Sequence, residues 1–108
     1  MLTKKDLVSA CQQAVDTSYE SSLKFIDRKQ ARSARLCLEA VEVCQAVIEA
    51  SKNKSALNDL LNICADICEL CAEECERYDY AHSLRCSKVT RNCAEIAREL
   101  FPQMKVAV

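Results

Sequence analysis

Four cysteines stand at positions 64, 68, 71 and 75 in the segment ICADICELCAEECERY, spaced C-x3-C-x2-C-x3-C. Thiolates are soft donors that hold copper(I), zinc or iron–sulfur clusters, and the spacing decides which of these the row can serve. Intervals of 4, 3 and 4 place Cys64, Cys68, Cys71 and Cys75 on one stripe of an α-helix, continued by Leu57 and Leu61 before it and Tyr78 after it. Cys64 and Cys75 then lie about 16 Å apart along the helix, so one ion or one compact cluster cannot gather all four. The bacterial iron–sulfur run is C-x2-C-x2-C-x3-C-P, and this row has a different first interval and no following proline. Disulfides between neighbours on the stripe are disfavoured, because side chains one turn apart keep their Cβ atoms about 5–6 Å apart where a disulfide wants about 3.5–4.5 Å. Two metal–sulfur bonds of about 2.3 Å span about 4.6 Å, which thiolates at i and i+4 can reach. The row suits a file of two-coordinate soft cations, copper(I) first, with zinc as the alternative.

The remaining thiols extend the pattern. Cys37 and Cys44 share a stripe with Val41 and Ile48, and Cys86 and Cys93 share one with His82, Val89, Ile96 and Leu100. Cys11 stands with Val15, Ser18, Ser22 and Phe25 and no second thiol, so packing and metal binding are evenly matched there. A buried cysteine packs as a small hydrophobe, but eight more at helical spacing on three segments favour a metal-binding lining. His82, one turn before Cys86, is a candidate for admitting metal at the mouth of such a lining, against the commoner role of a satisfied surface or cap histidine. Met104 offers a soft ligand should the tail fold back. Nothing points to catalysis: there is one histidine, no pair of acids on an evident cleft and no phosphate loop.

The elements that must carry these residues are helices. The chain has no glycine and one proline in 108 residues, which removes the usual turn chemistry of β-hairpins. Four segments follow: about Lys4–Ile26 with Thr3 as N-cap and Asp6 in the first turn, Gln30–Ala50 ending in the polar run SKNKS, Ala56–Tyr78 capped by Ser55, and Tyr80–Leu100 capped by Asp79 and closed by Pro102. Segments of roughly 20 residues with short links predict an all-α protein, an antiparallel four-helix bundle occupying residues 1–108 as one domain. A net charge of −1 argues against nucleic-acid or anionic-membrane partners, and no stretch approaches the roughly 18–20 apolar residues of a membrane span. The opening residues MLTKKDLVSACQQAV carry charges where a secretory leader needs an apolar run, so the chain is expected in the cytoplasm, where nine cysteines stay reduced.

The segments LLNICADICELCAEECERYD and HSLRCSKVTRNCAEIAREL resemble the cysteine-rich four-helix bundles that include the bacterial copper storage proteins. That resemblance implies a bundle interior lined with thiolates for many copper(I) ions, a homo-oligomeric assembly, often a tetramer, and histidines near one mouth. Carried over by position, Cys37, Cys44, Cys64, Cys68, Cys71, Cys75, Cys86 and Cys93 match family cysteines, while Val41, Ile48, Val89 and Ile96 stand where the family pattern has more, and Tyr78 where a histidine is common. Branched aliphatics at those places should break a continuous copper chain into islands centred on the third helix.

The expectation is a copper(I) storage or sequestration bundle rather than an enzyme. Its rivals are an interaction bundle whose thiols only pack, and a zinc or redox-sensing protein with cross-helix cysteine sites. A second apolar stripe, Leu36, Ala40, Val43, Val47 and Ala50 on the second helix and Leu60, Ile63, Ile67 and Leu70 on the third, is either part of a broad core or a homo-oligomer interface of a dimer or tetramer. Periodicity alone leaves open which stripe faces the bundle axis.

Overall fold

The computed structural model describes residues 1–53 and 57–105, the side chains through residue 101. They form four helices in chain order, α1 (Lys4–Asp27), α2 (Ala31–Asn53), α3 (Leu57–Cys75) and α4 (Ala81–Lys105). Each packs against its neighbours in sequence, and α1 closes the ring against α4, giving a rod of 46 × 22 × 18 Å. Side-chain contacts run in opposite senses along adjacent helices, Cys11 with Cys93 and Ser18 with Cys86 for example, so the bundle is antiparallel.

Local chemistry explains the ends. At the start of α1 the Thr3 amide donates to Asp6 Oδ2 at 2.8 Å and the Asp6 amide donates back to Thr3 Oγ1 at 3.3 Å, a complete capping box. Between α1 and α2 the chain turns at Lys29, held at φ 60, while the amides of Lys29 and Gln30 donate to the carbonyls of Ile26 and Phe25. That is a left-handed helix stop, a place usually given to glycine, made by a chain that has none.

Several boundaries differ from the sequence reading. α2 continues through Ser51, Lys52 and Asn53 instead of stopping at Ala50: the Ser51 hydroxyl donates to the Ile48 carbonyl at 2.6 Å, and Lys4 Nζ reaches the Ser51 carbonyl at 3.2 Å. The expected cap Ser55 lies outside the described residues. α3 ends at Cys75 rather than Tyr78, because the amides of Arg77 and Tyr78 switch to carbonyls three residues back. α4 begins at Ala81, and Tyr80, whose carbonyl takes the first helical bond from Leu84, holds the cap position expected of Asp79. α4 also runs past Pro102 to Lys105; a proline this near a helix end forfeits one bond to the carbonyl four residues back and does not have to stop the chain.

Burial settles which stripes face inward. All nine cysteines have no exposed surface. The second stripe divides: Ala40, Val43, Val47 and Ala50 of α2 are buried, whereas Ile63 and Leu70 of α3 are about half exposed. Leu7, Leu57, Leu61 and Leu100 fill one end of the axis. Phe25, Tyr78, Tyr80 and His82 fill the other, with Phe25 4.9 Å from the His82 ring and 5.1 Å from Tyr78.

The arginines of α4 pair with acids of its neighbours. Arg98 grips Glu69 through two nitrogens and also reaches Asp66, Arg91 takes Glu76, and Arg85 takes Glu20 of α1. Exposed pairs of this kind add little stability but disfavour other helix registers. Glu74 is different. It is buried near the end of α3 and accepts from Ser33 Oγ of α2 at 2.7 Å and from Arg77 at 3.2 Å, with Arg32 at 3.7 Å. Burial pushes its carboxyl up, but the Ser33 hydroxyl and the arginines outweigh that and hold it below the ordinary carboxylate value. This bridge fixes where α2 starts against the end of α3, and hence the height at which Cys37 meets Cys71 and Cys75.

Candidate metal centre

The thiols gather in two layers across the bundle. In the first, α1 supplies Cys11, α2 Cys44, α3 Cys64 and Cys68, and α4 Cys93. The sulfurs of Cys11, Cys44, Cys64 and Cys93, one from each helix, lie within 4.8 Å of one another. Cys44 is the hub, 3.6 Å from Cys68 and 4.0 Å from both Cys64 and Cys93, while Cys11 meets Cys93 at 3.7 Å. In the second layer the sulfurs of Cys37, Cys71, Cys75 and Cys86 lie within 4.8 Å of one another. Cys37 is 3.9 Å from both Cys71 and Cys75, and Cys71 is 4.0 Å from Cys86.

The second layer is the first moved along every helix by seven residues. Cys44 becomes Cys37, Cys64 becomes Cys71, Cys68 becomes Cys75, Cys93 becomes Cys86, and Cys11 becomes Ser18. A shift of seven residues returns a side chain to almost the same face of a helix, so two helices running up and two running down keep one cross-section at both heights. Contacts repeat with the residues: Ser18 Oγ lies 3.6 Å from Cys86 where Cys11 Sγ lies 3.7 Å from Cys93. Ala14, Ala40 and Thr90, all without exposed surface, belong to the stretches of α1, α2 and α4 between these layer positions.

The row on α3 is therefore split, Cys64 and Cys68 going to one layer and Cys71 and Cys75 to the other, and each of the four has a sulfur contact with a cysteine of α2. Cys11, evenly balanced in the sequence, is a full member of the first cluster. The four aliphatic positions expected to interrupt the lining differ in burial. Val41 is buried, but Ile48, Val89 and Ile96 only flank the core, half-covered, and the fully buried positions of α4 beside the cysteines are Thr90, Ala94 and Ala97. Intervals of three and four alternate freely along a helix, so a stripe read as 86-89-93-96 and one read as 86-90-93-97 fit the sequence equally well.

Mutual hydrogen bonding divides the thiols of each layer into easy and reluctant proton donors. Contacts with Cys11 and Cys44 bring Cys93 down to about 5. Cys64 is drawn below the ordinary thiol value by Cys11 and Cys44, while Cys44 is pushed above it by Cys11 and Cys64. In the second layer Cys86 is drawn down by Cys37 and Cys71, and Cys71 is pushed up by Cys37 and Cys75. A first thiolate in each layer is cradled by neighbouring S–H donors, and the remaining protons must be displaced by a cation.

His82 joins neither thiol cluster among the described residues. Its Nδ1 lies 3.0 Å from Ser21 Oγ, and that hydroxyl donates its own proton to the His82 carbonyl at 3.1 Å. Nδ1 is accordingly the protonated nitrogen and Nε2 carries a lone pair, buried and without a hydrogen-bond partner. The ring lines a surface pocket of about 390 Å³ with Lys24, Asp27, Arg28, Tyr80 and Ala81. Tyr78 spends its hydroxyl on Ser33 at 2.9 Å. Met104 lies among the residues whose side chains are not described. Sequence reading passed over Ser18 as a layer position, and Ser21, Ser33 and Glu74 as supports; the recurrence of cysteine at intervals of seven on α2, α3 and α4 was the available signal for the layers.

Comparison with known proteins agrees with this arrangement. The Bacillus subtilis cysteine-rich protein YhjQ is 29% identical over 96 residues, covering 88% of this chain and 86% of YhjQ. A Cu(I)-bound copper storage protein, BsCsp3, superposes with a TM-score of 0.84 at 25% identity, over 88% of this chain and 94% of that one. The apo form of copper storage protein 3 from Bacillus subtilis gives a TM-score of 0.87 at 25% identity, over 92% and 99%. The family model for copper storage proteins matches residues 3–102, and with two layers of buried thiols inside a four-helix bundle the chain belongs to the copper storage protein family.

Proposed function

We propose that this protein stores or sequesters copper(I) as cargo, with Cys11, Cys44, Cys64, Cys68 and Cys93 as ligands in one layer and Cys37, Cys71, Cys75 and Cys86 in the other. The observation that carries the reading is the pair of four-sulfur clusters, each within 4.8 Å and without exposed surface. Charge decides between cations. One copper(I) per thiolate leaves the core neutral, whereas one zinc on four thiolates leaves roughly two uncompensated negative charges where no water can reach them. Zinc is therefore the weaker cargo. The role is to hold a metal, and no catalytic step is assigned to any residue.

His82 serves as the donor at the mouth. Its Nδ1–H is fixed by Ser21, as in histidines that bind metal through the other nitrogen; Nε2 is buried and unpartnered among the described residues, and the ring lines a surface pocket. The protein works in the cytoplasm, where thiols stay reduced; among the described residues no helix is long and apolar enough to cross a membrane. It assembles with copies of itself through outward aliphatic residues, for which the half-exposed Ile63 and Leu70, seven residues apart on α3, are the best-placed pair.

Anaerobic titration of the reduced protein with copper(I) against a competing chelator tests the reading. Several copper ions per chain should be withheld from the chelator, and zinc should not displace them. Retention of fewer than about one ion per chain would overturn it.

A further inference from the structure

The two layers share one cross-section and differ at one atom. At the α1 position the first layer has the sulfur of Cys11 and the second the oxygen of Ser18, each fully buried and each placed against the α4 cysteine of its layer, at 3.7 and 3.6 Å. The other four positions are cysteine in both. We propose that Ser18 makes the two halves of the store unequal, the Cys44 layer retaining copper(I) and the Cys37 layer exchanging it. This inference rests on copper(I) being the cargo.

The chemistry follows from the atom. A thiol gives up its proton to become a soft anionic donor, and the copper(I) that replaces the proton leaves the charge of the layer unchanged. A serine hydroxyl keeps its proton at any working pH and presents a hard oxygen that copper(I) does not favour. The Cys44 layer thus offers five thiolates and the Cys37 layer four. The hydroxyl also acts on its neighbour: once Cys86 is a thiolate, the Ser18 O–H donates to it and draws off part of the electron density that would go to a metal. Changes to a hydrogen-bond partner of a metal ligand alter affinity by about 10–100-fold.

Position in the bundle points the same way. The Cys44 layer is backed by Leu7, Leu57, Leu61 and Leu100, an apolar plug of four leucines. The Cys37 layer faces Phe25, Tyr78 and Tyr80, beside which the His82 ring lines a surface pocket, its buried Nε2 unpartnered among the described residues. The layer with the weaker hold is the one at the His82 end of the bundle.

The test compares the wild-type chain with two exchanges of the same atom, Ser18→Cys and Cys11→Ser, each titrated anaerobically with copper(I) against a graded series of chelators. Wild type should show two classes of bound copper separated by at least about tenfold in affinity. Ser18→Cys should strengthen the weaker class until the two merge, and Cys11→Ser should abolish the stronger one. In half-loaded wild type, alkylation followed by peptide mass spectrometry should find Cys64 and Cys68 protected and Cys71 and Cys75 modified. A Ser18→Cys isotherm that superposes on wild type, or protection of Cys71 and Cys75 first, overturns the inference while leaving copper storage intact. If circular dichroism shows that Ser18→Cys does not fold, Cys11→Ser and the alkylation pattern decide it. A wild-type chain that takes up no copper overturns the storage reading itself.

Discussion

His82 has one nitrogen committed and one free, and both facts bear on how the protein responds to acid. Burial among Phe25, Tyr78 and Tyr80, with Lys24 nearby, holds its pKa below the ordinary value of 6.5. The folded chain therefore takes up this proton at a lower pH than the unfolded chain does. Its contribution to stability is complete above about pH 6.5 and is lost as the pH falls through the folded value. The melting temperature of the metal-free protein should drop between about pH 7 and pH 5. Glutamine at this position keeps a polar side chain without the titration, so His82→Gln should flatten part of that slope. Parallel pH profiles for the two proteins would exclude the histidine as the cause. Copper capacity at saturation should be unchanged in the variant, since the thiols outnumber the single imidazole, while loading should slow.

At the scale of the helix, the sequence was most legible where one strong local signal acted alone. Thr3 and Asp6 gave the start of α1 to the residue, and the absence of glycine left little room for anything but helices. The stripes were legible as stripes but not in their facing, because neighbouring helical rows differ by one residue at every other step. Thr90 rather than Val89, and Ala97 rather than Ile96, turned out to be fully buried, and only the packing of α4 between α1 and α3 decides that. The layers were hidden for a related reason: they are properties of four helices at once, and each helix alone shows only an interval of seven. The turn at Lys29 leaves no mark in the sequence because it is made without its usual residue. A β-carbon in the left-handed region costs about 1–2 kcal/mol, and among the described residues no side-chain hydrogen bond or ion pair of Lys29 offsets it. Lys29→Gly should therefore stabilise the chain by about 1 kcal/mol, net of the greater freedom that glycine gives the unfolded state, raising the melting temperature by roughly 4–8 °C. An unchanged or lower melting temperature would mean that the turn is held by something other than its own backbone preference.

The whole bundle links metal, protons and stability in a single equilibrium. Without metal, its centre is a stack of neutral and partly ionised thiols, held by packing and by S–H contacts of 3.6–4.0 Å that are weak compared with ordinary hydrogen bonds. Both layers draw ligands from at least three helices, so copper bound there ties together elements that the metal-free core joins only by contact. A ligand that binds only the folded state adds about 2.7 kcal/mol when its free concentration is about 100 times its dissociation constant, and a loaded chain should melt roughly 10 °C or more above an empty one. The same ions must displace protons. Cys93 and Cys64 are drawn below the ordinary thiol value by their S–H neighbours, whereas Cys44 and Cys71 are pushed above it and keep their protons at neutral pH. The folded, metal-free state thus holds protons that the loaded state lacks, and copper affinity must fall as the pH falls, by about tenfold per pH unit for each proton displaced per ion. Loading in a weakly buffered solution should release close to one proton per copper. Uptake of copper with no acid released, or with an affinity that does not change between about pH 6 and pH 8, would show that the ligands are not these thiols.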